Sequence, residues 1–85
     1  MEIRFTHHAE RKFEILKRHG VSVSRKRVVD ILQRPAHVDT RSRAPLCIAQ
    51  GEFDKRRVLR IVYKIEDDMM VVITFYPGRK SQYDH

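Results

Sequence analysis

The chain has 85 residues, with 18 Lys and Arg against 11 Asp and Glu, a net charge of +7 and a pI near 10.1. That length admits one small domain that buries roughly 60–65% of its unfolded surface, and the basic excess favours polyanionic partners, nucleic acid first and an acidic protein second. A single cysteine, Cys47, excludes an internal disulfide; no signal peptide is recognisable; and the longest apolar run, Met69 to Phe75, is too short to span a bilayer, so a cytoplasmic protein with no membrane attachment is the expectation.

Glu2-Ile3-Arg4-Phe5 alternates and predicts a first strand. Thr6 reads as an N-cap, with Glu10 one place late for a capping box. His7 to His19 is helical, with Ala9, Phe13 and Leu16 on one stripe, and Gly20 ends it as a C′ glycine after the basic Lys17, Arg18 and His19. Ser22 or Ser24 caps a second helix with Val28, Ile31 and Leu32 as its apolar stripe, stopped by Pro35. A link of about three residues predicts a tight helical pair.

From His37 the texture is β. His37 to Arg41 predicts a polar edge strand, Ser42 to Pro45 a loop, Leu46 to Gln50 a strand, and Gly51 to Lys55 a hairpin loop. Arg56 to Ile65 is the strand on which the rest is organised. Leu59, Ile61, Tyr63 and Ile65 point to the core, while Val58, Arg60, Val62 and Lys64 point to the other side. Glu66-Asp67-Asp68 is a turn. Met69 to Tyr76, apolar on both faces, predicts an inner strand with Val71, Ile73 and Phe75 opposite Met70, Val72, Thr74 and Tyr76. Pro77-Gly78 is expected to end it, leaving a polar tail from about residue 77. The expected fold is α+β: one domain over residues 1–85, ordered β-α-α-β-β-β-β, with two helices on one face of a twisted antiparallel sheet and the other face open.

Thr6-His7-His8-Ala9 opening a helix, Arg18-His19-Gly20-Val21 closing it, Pro35, Arg57-Val58-Leu59-Arg60-Ile61-Val62-Tyr63 and Val72-Ile73-Thr74-Phe75-Tyr76-Pro77 together resemble small domains of unassigned function grouped with the RelE/ParE toxin superfamily. Lys17-Arg18-His19-Gly20-Val21 and Arg79-Lys80 look most like its BrnT branch, although Gly78-Arg79-Lys80-Ser81 stands where that branch has Ala-Arg-Lys-Ala. The resemblance covers residues 3 to 83. It implies the toxin of a type II toxin–antitoxin pair: a metal-independent RNA endonuclease, ribosome-associated or free, that cleaves mRNA and so blocks translation, and is held inactive by an acidic antitoxin. It implies no cofactor.

Such cleavage needs a base for the 2′-hydroxyl, cations for the phosphorane and an acid for the leaving oxygen. The resemblance places these tasks on Arg60 as phosphate clamp, Arg79 and Lys80 past the last strand, and Tyr83 as the C-terminal tyrosine. Lys64, Arg11, Arg18, Arg25 and Lys26 are candidate nucleic-acid contacts, as cations on a strand and on helix faces. The histidines read more simply as helix-end residues, His85 as a terminal remnant or a general acid, Cys47 and Tyr63 as core, and no residues show metal-ligand spacing. A non-catalytic basic module binding nucleic acid or protein, or a regulator acting by hetero-oligomerisation, has the same composition; a homo-oligomer also stays open.

Overall fold

The computed structural model describes residues 1–83, with the side chains at 41–43 excepted; His85 lies outside the described residues. The elements are β1 (Glu2–Phe5), α1 (His7–Arg18), α2 (Arg25–Gln33), β2 (His37–Arg43), β3 (Leu46–Glu52), β4 (Arg57–Glu66), β5 (Met69–Arg79) and α3 (Lys80–Tyr83). Among the described residues no helix is long and apolar enough to cross a membrane.

The helix ends follow from local chemistry. Thr6 is extended, and its hydroxyl accepts the Ala9 N–H at 3.1 Å. Gly20, at φ 80°, reverses the chain after α1, with Gly20 N–H on the Lys17 carbonyl and Val21 N–H on that of Leu16. Ser24, not Ser22, caps α2 by accepting the Arg27 N–H. The link between the helices, His19 to Ser24, is longer than the sequence suggested. It lets them spread over the sheet instead of pairing tightly: α1 lies across β5 and β1, and α2 across β3.

The sheet order is β1-β5-β4-β3-β2, which puts β4 at the centre, β5 inside and β2 at an edge, as the patterns predicted. It is a mixed sheet, not the purely antiparallel one expected. The hairpins make β2 to β5 antiparallel, but β1 runs parallel to β5, because it joins through the helical layer and not through a hairpin. Asp67 and Asp68 both have positive φ, 51° and 59°, and close the two-residue turn between Glu66 and Met69.

Leu59, Ile61, Val72, Phe75 and Val28 are completely or almost completely buried between helices and sheet. Each contributes about 1.5–3 kcal/mol relative to an exposed position. Phe13 rests on Phe75, ring centres 4.7 Å apart, and on Phe5 at 5.8 Å. Gly51 lies in β3 directly under Ile31 of α2. It therefore belongs to the strand, which continues to Glu52, and not to the hairpin loop.

Four further expectations are corrected. Val62 pairs with Thr74 but Tyr63 pairs with Val72, so Ile73 is an extra residue in β5. This bulge breaks the alternation and brings Val72 and Phe75 to the same, helix-covered face. Pro77-Gly78 does not end β5, which pairs on to Arg79: β1 reaches only as far as Val72, so a proline lacking an N–H interrupts no ladder on that outer edge. Ile65 is 48% exposed, since it lies beyond the reach of the helices. Finally, the second face is not simply open, because residues 80–83 form α3 and fold back over β4 and β5.

Candidate nucleic-acid interface

β4 and its neighbours place four polar side chains together on the face away from α1 and α2. Gln50 stands opposite Arg60 on β3, and Tyr76 opposite it on β5. The Arg60 Nη1 donates to Gln50 Oε1 at 2.5 Å, and its Nε donates to the Tyr76 hydroxyl at 3.2 Å. Tyr83 arrives from α3 and lays its ring over the guanidinium, 4.1 Å from carbon to ring centre. Gly78 makes room for that ring, since a Cβ there would stand 2.5 Å from Tyr83 Cε2. The result is an Arg60 only 8% exposed, although it sits on the face expected to be open.

A second group forms at the end of the sheet where β3 turns into β4 and β5 turns into α3. Lys55, Arg56, Arg57, Arg79 and Lys80 line one open groove with Ser81, and Asp54 is the carboxylate lining it. Arg57 and Arg79 are directly opposed across the β4–β5 ladder, an arrangement unfavourable for like charges. Asp54 offsets part of this. It accepts the N–H groups of Arg56 and Arg57 at 2.9 and 2.8 Å, and it pairs with the Arg57 guanidinium at 2.7 Å. Hydrogen bonds from the Arg57 side chain first, then from the Arg56 amide, hold its carboxyl below the usual aspartate range. Phe53 faces both Arg27 and Arg57, 5.7 and 5.1 Å from its ring centre, and so anchors the hairpin loop to α2. Lys80 reaches Glu52 at 3.3 Å. Lys55, Arg56 and Arg79 have no ion pair among the described residues.

The structure thus brings Arg60 and Tyr83 into contact and sets Arg79 and Lys80 in an adjoining groove. The four do not share one open pocket. Lys64 lies on the Arg60 face and pairs with Glu66 at 2.7 Å. The helical candidates belong to the opposite layer. Arg25 stacks on Phe5 at 4.4 Å and pairs with Glu10, Lys26 pairs with Asp30 at 2.8 Å, and Arg18 lies 3.7 Å from Glu14. Arg11 lines a shallow surface with Glu14, Ile15 and Arg18. One contiguous surface joining these cations to Arg60 is therefore not formed. His8 shares a hydrogen bond with Thr74 at 3.1 Å, at the start of α1. Tyr63 is core, as expected, and burial, then Cys47 beside it, pushes its phenol up. Among the described residues no group of three or more His, Cys, Asp or Glu is gathered as a metal would need.

Sequence reasoning missed Gln50, Tyr76, Lys55, Arg56 and Arg57. Hairpin register would have found the first two, since both fall opposite Arg60 on its own face. Compared with known proteins, the chain matches no family model, no curated protein and no solved structure.

Proposed function

We propose that this protein is an RNA-binding domain of the RelE/ParE type that holds an RNA backbone along the Lys55–Arg57 and Arg79–Lys80 groove. One observation carries the reading: among the described residues, five cationic side chains line one open groove with a single lining carboxylate, and two of them oppose each other across a ladder. Such crowding opposes folding and is relieved when a polyanion binds and releases its counter-ions. The function fits a cytoplasmic toxin paired with an acidic antitoxin that competes for the same cations.

The test is binding of a fluorescent single-stranded RNA over a salt series. Each phosphate contact adds about 0.7 to the slope of log K against log salt. Arg79→Gln and Arg56→Gln should each reduce that slope by about this amount, whereas Lys26→Gln, on the other layer, should leave it alone. Equal slopes in all three variants would remove the groove from the reading.

Cleavage is a second reading, favoured by the contact between Arg60 and Tyr83 beside the groove. A guanidinium and a phenol are a charge stabiliser and a proton carrier for 2′-hydroxyl attack. Induced expression in a bacterial host, wild type beside Tyr83→Phe and Arg60→Lys, separates the two readings. Growth arrest with RNA loss, relieved by the substitutions, supports the toxin; intact RNA and normal growth leave the binding domain.

A further inference from the structure

The groove proposed for RNA contains a carboxylate, and by charge alone Asp54 should oppose a polyanion. Its contacts give it a different part. Both of its oxygens are engaged inside the hairpin turn that it begins. Oδ1 accepts the N–H groups of Arg56 and Arg57 at 2.9 and 2.8 Å, the reach of an aspartate that folds the chain two and three residues ahead. Oδ2 accepts the Arg57 Nε–H at 2.8 Å and lies 2.7 Å from Nη2 of the same guanidinium. The Asp54 N–H closes the turn on the Arg57 carbonyl at 3.1 Å.

Arg56 is consequently held at both ends of its own backbone. Its N–H lies on Asp54, and its carbonyl accepts the Lys80 N–H at 2.9 Å. Lys55 and Arg56 are the exposed residues of this turn, and Arg79 and Lys80 form the other side of the groove. One carboxylate oxygen thus fixes the turn from which two groove cations project, and that turn carries the carbonyl on which the opposite side docks.

We propose that Asp54 is a positioning residue for RNA: its Oδ1 presets the turn so that Lys55 and Arg56 meet the phosphates together with Arg79 and Lys80. The proposal deepens the groove reading above and rests on it. A loose turn has to be ordered each time RNA binds, and affinity falls with the fraction of molecules in which the turn is already formed.

Three variants that remove the same charge separate positioning from electrostatics. Asp54→Asn keeps a side-chain oxygen in the place of Oδ1, Asp54→Ser keeps a weaker acceptor, and Asp54→Ala keeps none. Each is titrated with fluorescent single-stranded RNA over a salt series. Charge alone would make all three bind equally and more tightly than wild type. Positioning gives the order Asn, Ser, Ala. One hydrogen bond shifts an equilibrium by about 2- to 12-fold, so the loss of two should make Asp54→Ala at least about 5-fold weaker than Asp54→Asn. The salt slope of Asp54→Ala should fall below that of Asp54→Asn by up to about 1.4, as two phosphate contacts at about 0.7 each are lost. A variant that is merely less stable loses binding amplitude and keeps its slope. Amide hydrogen exchange supplies a measurement without RNA: Arg56 and Lys80 should exchange faster in Asp54→Ala than in Asp54→Asn. Equal affinities and slopes in Asp54→Asn and Asp54→Ala, or equal exchange at Arg56, overturn the proposal and leave the groove reading intact. Wild type that fails to bind RNA, or binds it without salt dependence, removes the groove reading and the proposal with it.

Discussion

Gly51→Ala is the sharpest test of how α2 sits on the sheet. Gly51 pairs with Leu59 in the middle of the layered core, and an added Cβ would lie 2.6, 2.9 and 3.0 Å from Ile31 Cγ1, Cγ2 and Cδ1. Carbon atoms rest at about 3.5–4.0 Å, so a gap of roughly 0.5–1 Å must open. Ile31 cannot simply turn away. All three of its outer carbons are involved, its χ1 is restricted in a helix, and it is 6% exposed. The helix must move instead. Overpacking of this kind costs about 1–3 kcal/mol, from which the relief of a strand glycine, about 0.5–1 kcal/mol, is subtracted. The central values leave a net loss of about 1 kcal/mol, which lowers the melting temperature by about 4–8 °C in a domain of this size. Thermal unfolding followed by circular dichroism measures it. Ile31→Ala removes the carbons that the new methyl meets, so the double variant should be more stable than the sum of the single losses by at least about 1 kcal/mol. If Gly51→Ala melts at or above wild type, or if the two losses add within about 0.5 kcal/mol, the close approach of α2 to β3 is not as described.

Three further outcomes are expected. Thr6→Ala loses the α1 cap and the hydroxyl bond to the Ile73 carbonyl at 3.2 Å, and should cost about 1–2 kcal/mol in chemical denaturation; an unchanged midpoint would show that neither bond matters. Asp54 has its folded pKa below the unfolded value, so its contribution is fully present above the ordinary aspartate pKa of about 3.9 and fades as pH falls through the lower folded value; melting temperatures of wild type and Asp54→Asn should therefore converge in acid, and parallel curves from pH 7 to 2 would refute the assignment. β2 bonds to the sheet through β3 alone, so amides between residues 37 and 43 should exchange faster with deuterium than those of β4; equal protection would contradict its edge position.

Much of this architecture was legible because local chemistry and burial agree. Thr6, Gly20 and Pro35 punctuate the helices where their own geometry demands it, and the alternation from Arg57 to Tyr63 survives into the fold because β4 is regular and flanked on both sides. The misreadings have a common physical origin. Ile73 adds a single residue to a strand that is apolar on both faces, so no polarity change marks the bulge. Pro77 looks like a strand end, because sequence does not reveal that β1 stops short of it. Most consequential for the candidate site, Arg60 on an outward-facing position implies exposure. Its burial depends on Tyr83, more than twenty residues along, reached through a turn of Lys80–Tyr83 with no apolar period of its own. Half of the groove escaped for a related reason: Arg79 and Lys80 stand out in the sequence but Lys55 to Arg57 do not, and only the β4–β5 register brings the two segments together.

The parallel pairing of β1 with β5 also dictates an order of events. The domain's first strand has its ladder partner, among the described residues, in its last, and the start of α1 is tied to the same strand through Thr6 to Val72 and Ile73 and through His8 to Thr74. Until synthesis has passed Val72, β1 and the face of α1 that should rest on β5 have no β5 to dock against. The domain closes only when its last strand is released, so its two ends are committed to each other in a single final step and no N-terminal fragment inherits the fold.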